Sequence, residues 1–421
     1  MRFIIVTMGT EGDIRPYIAL ARELRSYDHE ISIATSRNHA KVVGDFGIDY
    51  IPITPYSGRS PSFFNFRFVA ALKSSIVNNN GFLQELWNVC QQADVIIYNV
   101  ATFPCFYIAE KLGIPSFGAF LQPHHPTTEF PDPSITVGKP LGGFFNLVGF
   151  WLFDILHWQY VRRSVNRFRK ETLQLPELSA RNTILRQLKE RGSYIIYAYS
   201  PSFLPRPYDW RSDHLHVTGY WYLDTLKEDY SPPADLERFL QSGSAPVFIS
   251  VMWNTHKFTK ERIAEIGQLS GSRLLIHDLY GEMEGITSSE RIFYIKGSVP
   301  HEWLFKKIVL AIHHGGLGIC MNCIRAGAPM ITIPADAGGN DHRFWAYQVS
   351  RSGVGIRLSV PDRQFIPGLV SAIKQITDNE DIRSHAVELS KKIKEENGLK
   401  DAIQFISARC RRQGYDLPVI P

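Results

Sequence analysis

The chain opens on an apolar run, Phe3-Ile4-Ile5-Val6-Thr7-Met8, followed by the glycine-rich turn Gly9-Thr10-Glu11-Gly12-Asp13 and then by apolar residues at helical spacing over 16–27. The same alternation returns with strand-like runs at 30–35 and 49–53, separated by a second helical stretch, and again at 94–100, 114–120 and 193–199. Short apolar runs alternating with amphipathic helices predict βαβ units and a parallel sheet. Pro16 is expected in the first turn of its helix, where a missing N–H has no intrahelical partner.

The segment 221–235 is polar and carries Pro232-Pro233, which predicts a linker. After it the pattern restarts, with strands over 246–252, 273–280, 291–297, 308–314 and 329–335 and helices over 259–270, 319–327, 344–353, 367–377 and 381–398. The expected fold is α/β, two doubly wound Rossmann-like domains facing across a cleft, with ligand groups at the carboxyl ends of the strands. The expected division is an N-terminal domain over 1–220, the linker over 221–235, a C-terminal domain over 236–400, and a tail over 401–421 returning to the first domain.

A length of 421 residues exceeds what one core usually supports, and a 44% hydrophobic share supplies two. The net charge of +5 is mild, and the clusters Arg162-Arg163, Arg167, Arg169-Lys170 and Arg409, Arg411-Arg412 read as solvated helix faces, so no nucleic-acid partner is expected. Five irregularly spaced cysteines do not describe a secreted disulfide framework, and the apolar start is too short for a signal sequence, which points to the cytoplasm. The apolar stretch from Gly142 to Trp158 is broken by Asn146, Asp154 and His157 and falls short of the roughly 18 uninterrupted residues of a span. It leaves room for peripheral membrane contact or for a helix lining a ligand pocket.

The most chemically loaded stretch is HHGGLGICMNC, His313 to Cys323, at the end of the run Ile308-Val309-Leu310-Ala311-Ile312. A glycine turn between a parallel strand and a helix lets backbone N–H groups approach an anion, and the helix N-terminus adds partial positive charge. That placement suits a diphosphate at His314, Gly315, Gly316 and Gly318, with His313 structural. A zinc site needs four ligands, and Cys320-x-x-Cys323 has no second pair at ligand spacing, so the cysteines are expected to be packing. In the first domain, Asp13 stands on the corresponding loop with Gly9, Thr10 and Gly12, where a carboxylate can take a proton from an attacking hydroxyl. The plainer alternative is that Asp13 caps its helix.

In their order and spacing, GTEGDIRPYIALARELR, FDILHWQYVRRSVNRFRKETLQLP, SPSFLPRPYDWRSDHLHVTGYW, GSVPHEWLF, HHGGLG with RAGAP, and FWAYQVSRSGVG resemble family-one glycosyltransferases of the GT-B fold. The resemblance is greatest to the sterol 3β-glucosyltransferase group and the bacterial enzymes that glycosylate antibiotics and lipids. It implies inverting transfer of a sugar from a nucleoside diphosphate, such as a UDP or TDP sugar, to a hydroxyl of a lipophilic small molecule, with Asp13 as base. It makes 1–220 the acceptor-binding domain and 236–400 the donor-binding domain, in which His314, Gly315 and Gly316 would hold the diphosphate and Ser298 and Val299 would lie beside the nucleobase, while Gly9, Thr10 and Gly12 of the first loop would also contact the donor. Preorganised N–H groups and a histidine can meet the leaving charge, so neither a metal nor a resident cofactor is expected.

Three departures from the family pattern lie on the donor side. Met252-Trp253-Asn254 stand where relatives carry a small Gly-Ser turn, Ile319 replaces a phosphate-binding hydroxyl residue, and Asp341-His342, preceded by Ala335 to Asn340, replaces an Asp-Gln pair. Trp253, Asn254, Asp341 and His342 are therefore candidate donor contacts with altered geometry, Asp336 being an alternative. His124 and His125, with Phe144 and Trp151 on the aromatic helix, are the candidate acceptor contacts. The departures leave open a catalytically silent binding or auxiliary protein, or an enzyme with an unusual donor.

Overall fold

The computed structural model describes residues 1–54, 80–135, 140–225, 230–250, 255–278, 288–295, 297, 299–334 and 341–415. The chain forms two compact units, one comprising Met1–Ile135, Pro140–Leu223 and the chain from Glu396, the other comprising Asp224–Glu395.

In the first unit, β1 (Arg2–Val6) leads into α1 (Glu11–Arg25), β2 (Glu30–Ser36), α2 (Ala40–Gly44) and β3 (Asp49–Ile53). Then come α3 (Asn80–Cys90), β4 (Val95–Tyr98), α4 (Cys105–Leu112), β5 (Ser116–Phe120), α5 (Gly143–Arg167), α6 (Ile184–Glu190), β6 (Tyr194–Tyr197) and β7 (Leu215–Val217). The strands make a parallel sheet in the order β3-β2-β1-β4-β5-β6-β7. Strands buried on both faces read as unbroken apolar runs, and Phe3, Ile4, Ile5, Val95, Ile96 and Ile97 are all fully buried.

α1 begins at Glu11, so Pro16 lies in its second turn and not its first. The ring removes a bond that would have run to the Gly12 carbonyl and still packs into the buried face with Ile14, Tyr17 and Ile18.

α5 inverts the usual distribution of polarity. Asn146 and Asp154, which interrupt its apolar sequence, are buried: Asn146 donates to the Thr128 carbonyl at 2.9 Å, and Asp154 accepts from the Leu185 N–H at 3.3 Å. Phe150, Trp158, Val161 and Val165 accompany them inward, whereas Phe144, Phe145, Trp151, Leu152 and Ile155 face outward. No helix among the described residues is long and apolar enough to cross a membrane.

The second unit runs α7 (Ala234–Gln241), β8 (Val247–Ser250), α8 (Lys260–Ser270), β9 (Leu274–His277), β10 (Ile292–Ile295), α9 (His301–Leu304), β11 (Leu310–His313) and α10 (Leu317–Ala326). It closes with β12 (Met330–Thr332), α11 (Asp341–Arg351), β13 (Gly355–Arg357), α12 (Phe365–Asp378) and α13 (Glu380–Glu395). Its parallel sheet has the order β10-β9-β8-β11-β12-β13. One face packs Ile249, Ile312 and Ile331 against Ile263, Ile266, Leu369 and Ile373 of α8 and α12. β13 and α7 are short; α7 nonetheless has apolar residues at helical spacing and buries Leu236 and Phe239.

The last described helix, α14 (Gly398–Arg412), packs on α1 in the first unit. Its start is fixed by the Trp221 indole N–H on the Gly398 carbonyl at 3.1 Å, by His216 against Asp401 at 2.8 Å, and by Ser200 donating to Glu396 at 2.8 Å. A Cβ on Gly398 would lie 2.6 Å from the Gly219 carbonyl carbon, so the two backbones meet there because neither residue has a side chain.

Candidate functional site

In each sheet the strand order reverses beside the first strand, between β1 and β4 and between β8 and β11. Ligands of open α/β sheets bind outside the carboxyl ends of the strands at this switch point. Both glycine-rich turns singled out in the sequence stand there, one after β1 and one after β11.

After β1 the chain turns through Thr7 to Thr10 into α1. The Thr10 N–H donates to Asp13 Oδ2 at 2.7 Å and its hydroxyl to the same oxygen at 2.9 Å. Asp13 thus caps the N-terminus and has a fixed carboxylate orientation; the capping role weighed in the sequence is present. Gly9 has φ +153°, and a Cβ there would lie 2.5 Å from Asp13 Oδ2. The glycine makes the space the carboxylate occupies. Gly12 is different: a Cβ would meet nothing nearer than Thr10 Oγ1 at 3.7 Å.

The loop is held from beneath by Asn99, at the end of β4. Its side-chain N–H groups donate to Thr7 Oγ1 at 3.1 Å and the Met8 carbonyl at 2.7 Å, while its oxygen accepts from the Thr102 N–H at 3.2 Å. His39 adds a 3.1 Å contact to the Gly9 carbonyl. Asn99 was not singled out in the sequence. Its only local signal is an Asn at a strand end followed by Thr three residues later.

After β11 the turn is tighter. The Gly315 N–H donates to His313 Nδ1 at 3.1 Å, which puts the His313 proton on Nε2. Gly315 has φ +91°, and a Cβ there would lie 2.9 Å from the His342 carbonyl oxygen. A Cβ on Gly316 would lie 2.6 Å from His314 Nε2. Both glycines are therefore steric requirements. Gly316 caps α10, whose first internal bond is Cys320 N–H to Gly316 O, so the N–H groups of Leu317, Gly318 and Ile319 have no partner within the helix.

His313 and His314 are both buried, and burial holds them neutral. His313 is pushed down to about 3, with His342 and His301 adding smaller repulsions, and His314 lies well below its ordinary value for the same first cause. Among the described residues, His314 Nδ1 is a buried polar atom with no protein hydrogen-bond partner, as is His313 Nε2. Such groups ordinarily find a partner, in the protein or in a ligand. His342, on the first turn of α11, packs its ring 4.6 Å from that of His314, and Asp341 precedes it. Val299 is buried. Trp253, Asn254 and Ser298, with Met252 and Asp336, lie outside the described residues. Cys320 and Cys323 are fully buried in α10, and burial raises both thiols well above their usual range.

The candidate acceptor residues fall into two groups. The Tyr197 hydroxyl accepts from the His124 N–H at 3.3 Å and lies 2.5 Å from His125 Nδ1, while Trp210 stacks on Tyr197 with ring centres 4.8 Å apart. Burial pushes His125 down to about 3. Its ring is part of a packed aromatic cluster, and His124 Nδ1 faces buried Asp132 at 3.7 Å. Phe144 and Trp151, by contrast, are 68% and 50% exposed on the outer face of α5.

Residues 3–131 match the Glycosyltransferase family 28 N-terminal domain, and residues 291–401 match the Erythromycin biosynthesis protein CIII-like C-terminal domain. The chain is 31% identical over 425 residues to a sterol 3-beta-glucosyltransferase of Komagataella phaffii, covering 96% of this chain and 34% of that protein. It is 30% identical to a sterol 3-beta-glucosyltransferase of Arabidopsis thaliana, covering 96% of this chain and 65% of that protein. It thus spans about a third of the length of the fungal relative and under two thirds of the plant one.

Among solved structures, the glycosyltransferase of kitacinnamycin superposes with a TM-score of 0.68 at 18% identity, covering 99% of both chains. A spinosyn rhamnosyltransferase complexed with thymidine diphosphate superposes at 0.64 and 15% identity, covering 98% of this chain and 100% of that one. These likenesses establish the fold, two parallel-sheet α/β domains of the GT-B type.

Proposed function

We propose that this chain, which belongs to the glycosyltransferases joining a family 28 N-terminal domain to an EryCIII-like C-terminal domain, transfers a sugar from a nucleoside diphosphate to a hydroxyl of a lipophilic small molecule, with inversion. The observation that carries the reading is the His313–Gly316 turn. It offers a neutral, buried imidazole with an unpartnered Nδ1 next to helix N–H groups that lack an intrahelical partner. A diphosphate supplies acceptors for both and negative charge for the helix terminus.

The chemistry assigns one role to each unit. The acceptor hydroxyl gives its proton to Asp13 as its oxygen bonds to the anomeric carbon, and the bond from that carbon to the diphosphate oxygen breaks. Thr10 orients the Asp13 carboxylate, so capping and catalysis are compatible. The departing diphosphate gains charge, and the N–H groups of α10 with His314 stabilise it in place. A neutral histidine serves as a hydrogen-bond partner here, not as a cation. On this reading no metal is needed, and turnover survives EDTA.

The acceptor is a lipophilic alcohol, sterol-like by analogy with the sterol glucosyltransferase relatives. The exposed rings of Phe144 and Trp151 offer apolar surface on the first unit for such a molecule. Incubation with UDP- and TDP-sugars and a panel of sterol, terpenoid and polyketide alcohols tests the reading, with nucleoside diphosphate release as readout. Release that depends on acceptor is expected. Donor binding without transfer to any acceptor would favour an auxiliary binding protein.

A further inference from the structure

α5 presents a continuous line of apolar side chains to solvent, which the packing of the first unit does not use. Phe145, Val148, Leu152 and Ile155 recur at helical spacing on its exposed side, flanked by Phe144 and Trp151. From 144 to 155 the line rises about 17 Å along the helix, longer than the two rings assigned to the acceptor. Single exposed apolar residues are ordinary, whereas a contiguous face of them marks a surface that binds something.

The same face turns basic toward its end. At about 3.6 residues per turn, Arg163 lies about five turns after Phe145 and therefore on the same line, and Arg167 follows one turn later. Both arginines are exposed. The only acidic residue of α5, Asp154, is buried on the opposite side with Trp158. The outward face thus joins rings and aliphatic groups to two cations, with no carboxylate from its own helix among them.

That combination discriminates among occupants. A second copy of this chain would set the arginines against an identical face that has no acid to pair with them. A lipophilic alcohol covers a fraction of the line and brings no negative charge. A bilayer containing anionic phospholipid supplies both halves: an acyl boundary for the apolar groups and phosphates for the guanidinium forks. Tryptophan favours that boundary, and arginine reaches from it to the headgroups.

We propose that α5 docks the first unit on the surface of an anionic bilayer, with its apolar line bedded below the headgroups and Arg163 and Arg167 on lipid phosphates. The helix lies along the surface, because its inner side is built into the unit through Asn146 on the Thr128 carbonyl and Trp158 on the Ser179 carbonyl. Docking brings the unit that carries Asp13 to a lipophilic alcohol dissolved in the bilayer. It needs no nucleotide, so it is tested apart from the transfer reading.

Co-sedimentation of the full chain with vesicles tests this, using phosphatidylcholine alone and phosphatidylcholine with phosphatidylserine. The unaltered chain is compared with Leu152→Glu plus Ile155→Glu, with Arg163→Glu plus Arg167→Glu, and with Leu269→Glu, which changes a similarly exposed leucine of the second unit. Thermal melts verify folding. The unaltered chain and the Leu269 variant should bind the phosphatidylserine vesicles, and each altered pair on α5 should weaken that binding roughly tenfold or more. Added salt should weaken it as well. Quenching of tryptophan fluorescence by brominated phospholipid is a second readout, which Trp151→Phe should reduce.

No binding of the unaltered chain to either vesicle overturns the proposal, as does binding that the folded α5 variants retain in full. Equal binding with and without phosphatidylserine contradicts the anionic surface. A dimer in solution that Leu152→Glu plus Ile155→Glu dissociates, with no vesicle binding, gives the face to a second copy and contradicts docking on lipid.

Discussion

A Cβ placed on Gly9 would lie 2.5 Å from Oδ2 of Asp13, so the glycine and the carboxylate share one space. The Gly9→Ala variant should displace Asp13 from its Thr10 contacts and lower kcat by roughly 10- to 100-fold, with little change in donor affinity. Steady-state kinetics with a saturating donor would show it. Gly12→Ala serves as the contrast, because a Cβ there meets only an ordinary contact at 3.7 Å, and it should leave kcat within about twofold.

Asp13→Asn separates base from cap. The amide oxygen can still accept from Thr10, so the melting temperature should change little, while kcat should drop by roughly 10²- to 10⁴-fold. A variant with undiminished turnover would leave Asp13 as a helix cap only.

The two faces of α5 predict opposite stability effects. Trp158 is fully buried and donates to the Ser179 carbonyl at 3.0 Å, so Trp158→Ala should destabilise the first unit by about 3–5 kcal/mol. Trp151 is 50% exposed, and Trp151→Ala should cost less than about 0.5 kcal/mol while raising the acceptor KM. Denaturant titration and acceptor kinetics on the two variants check both halves of the statement.

Buried neutral histidines make stability depend on pH. Burial lowers His125 and His313 to about 3 and His157 to about 4. Between these values and the ordinary histidine value near 6.5, the unfolded chain binds protons that the folded chain does not. Stability is therefore full above about pH 6.5 and falls as the pH drops toward 4, with a slope of up to roughly 1.4 kcal/mol per pH unit for each histidine. Denaturation midpoints at pH 7, 6 and 5 should decline, and His157→Gln should flatten the decline.

Much of this architecture is legible along the chain. The β–α alternation and the two glycine turns give two doubly wound sheets, because strands buried on both faces must be continuously apolar and their switch points need close backbone approach. What the pattern could not reveal depends on pairs far apart. Asn99 supports a loop some ninety residues away, as its bonds to Thr7 and Met8 show. A small cavity in the second unit gathers Lys257, Pro334, Arg343 and Arg357 from four separate segments. Apolar periodicity also could not tell which side of α5 is inward, since two of its polar interruptions, Asn146 and Asp154, turned out to be buried.

His314 carries the central claim, that the turn after β11 holds a nucleoside diphosphate through its buried, unpartnered Nδ1. Calorimetric titration of UDP and TDP into the unaltered chain and into His314→Ala tests it most directly. At least one nucleotide should bind the unaltered chain, and the substitution should weaken it by roughly 10- to 100-fold, as loss of a hydrogen bond to a charged group requires. Unchanged affinity in His314→Ala, or no binding of either nucleotide to the folded unaltered chain, would contradict it.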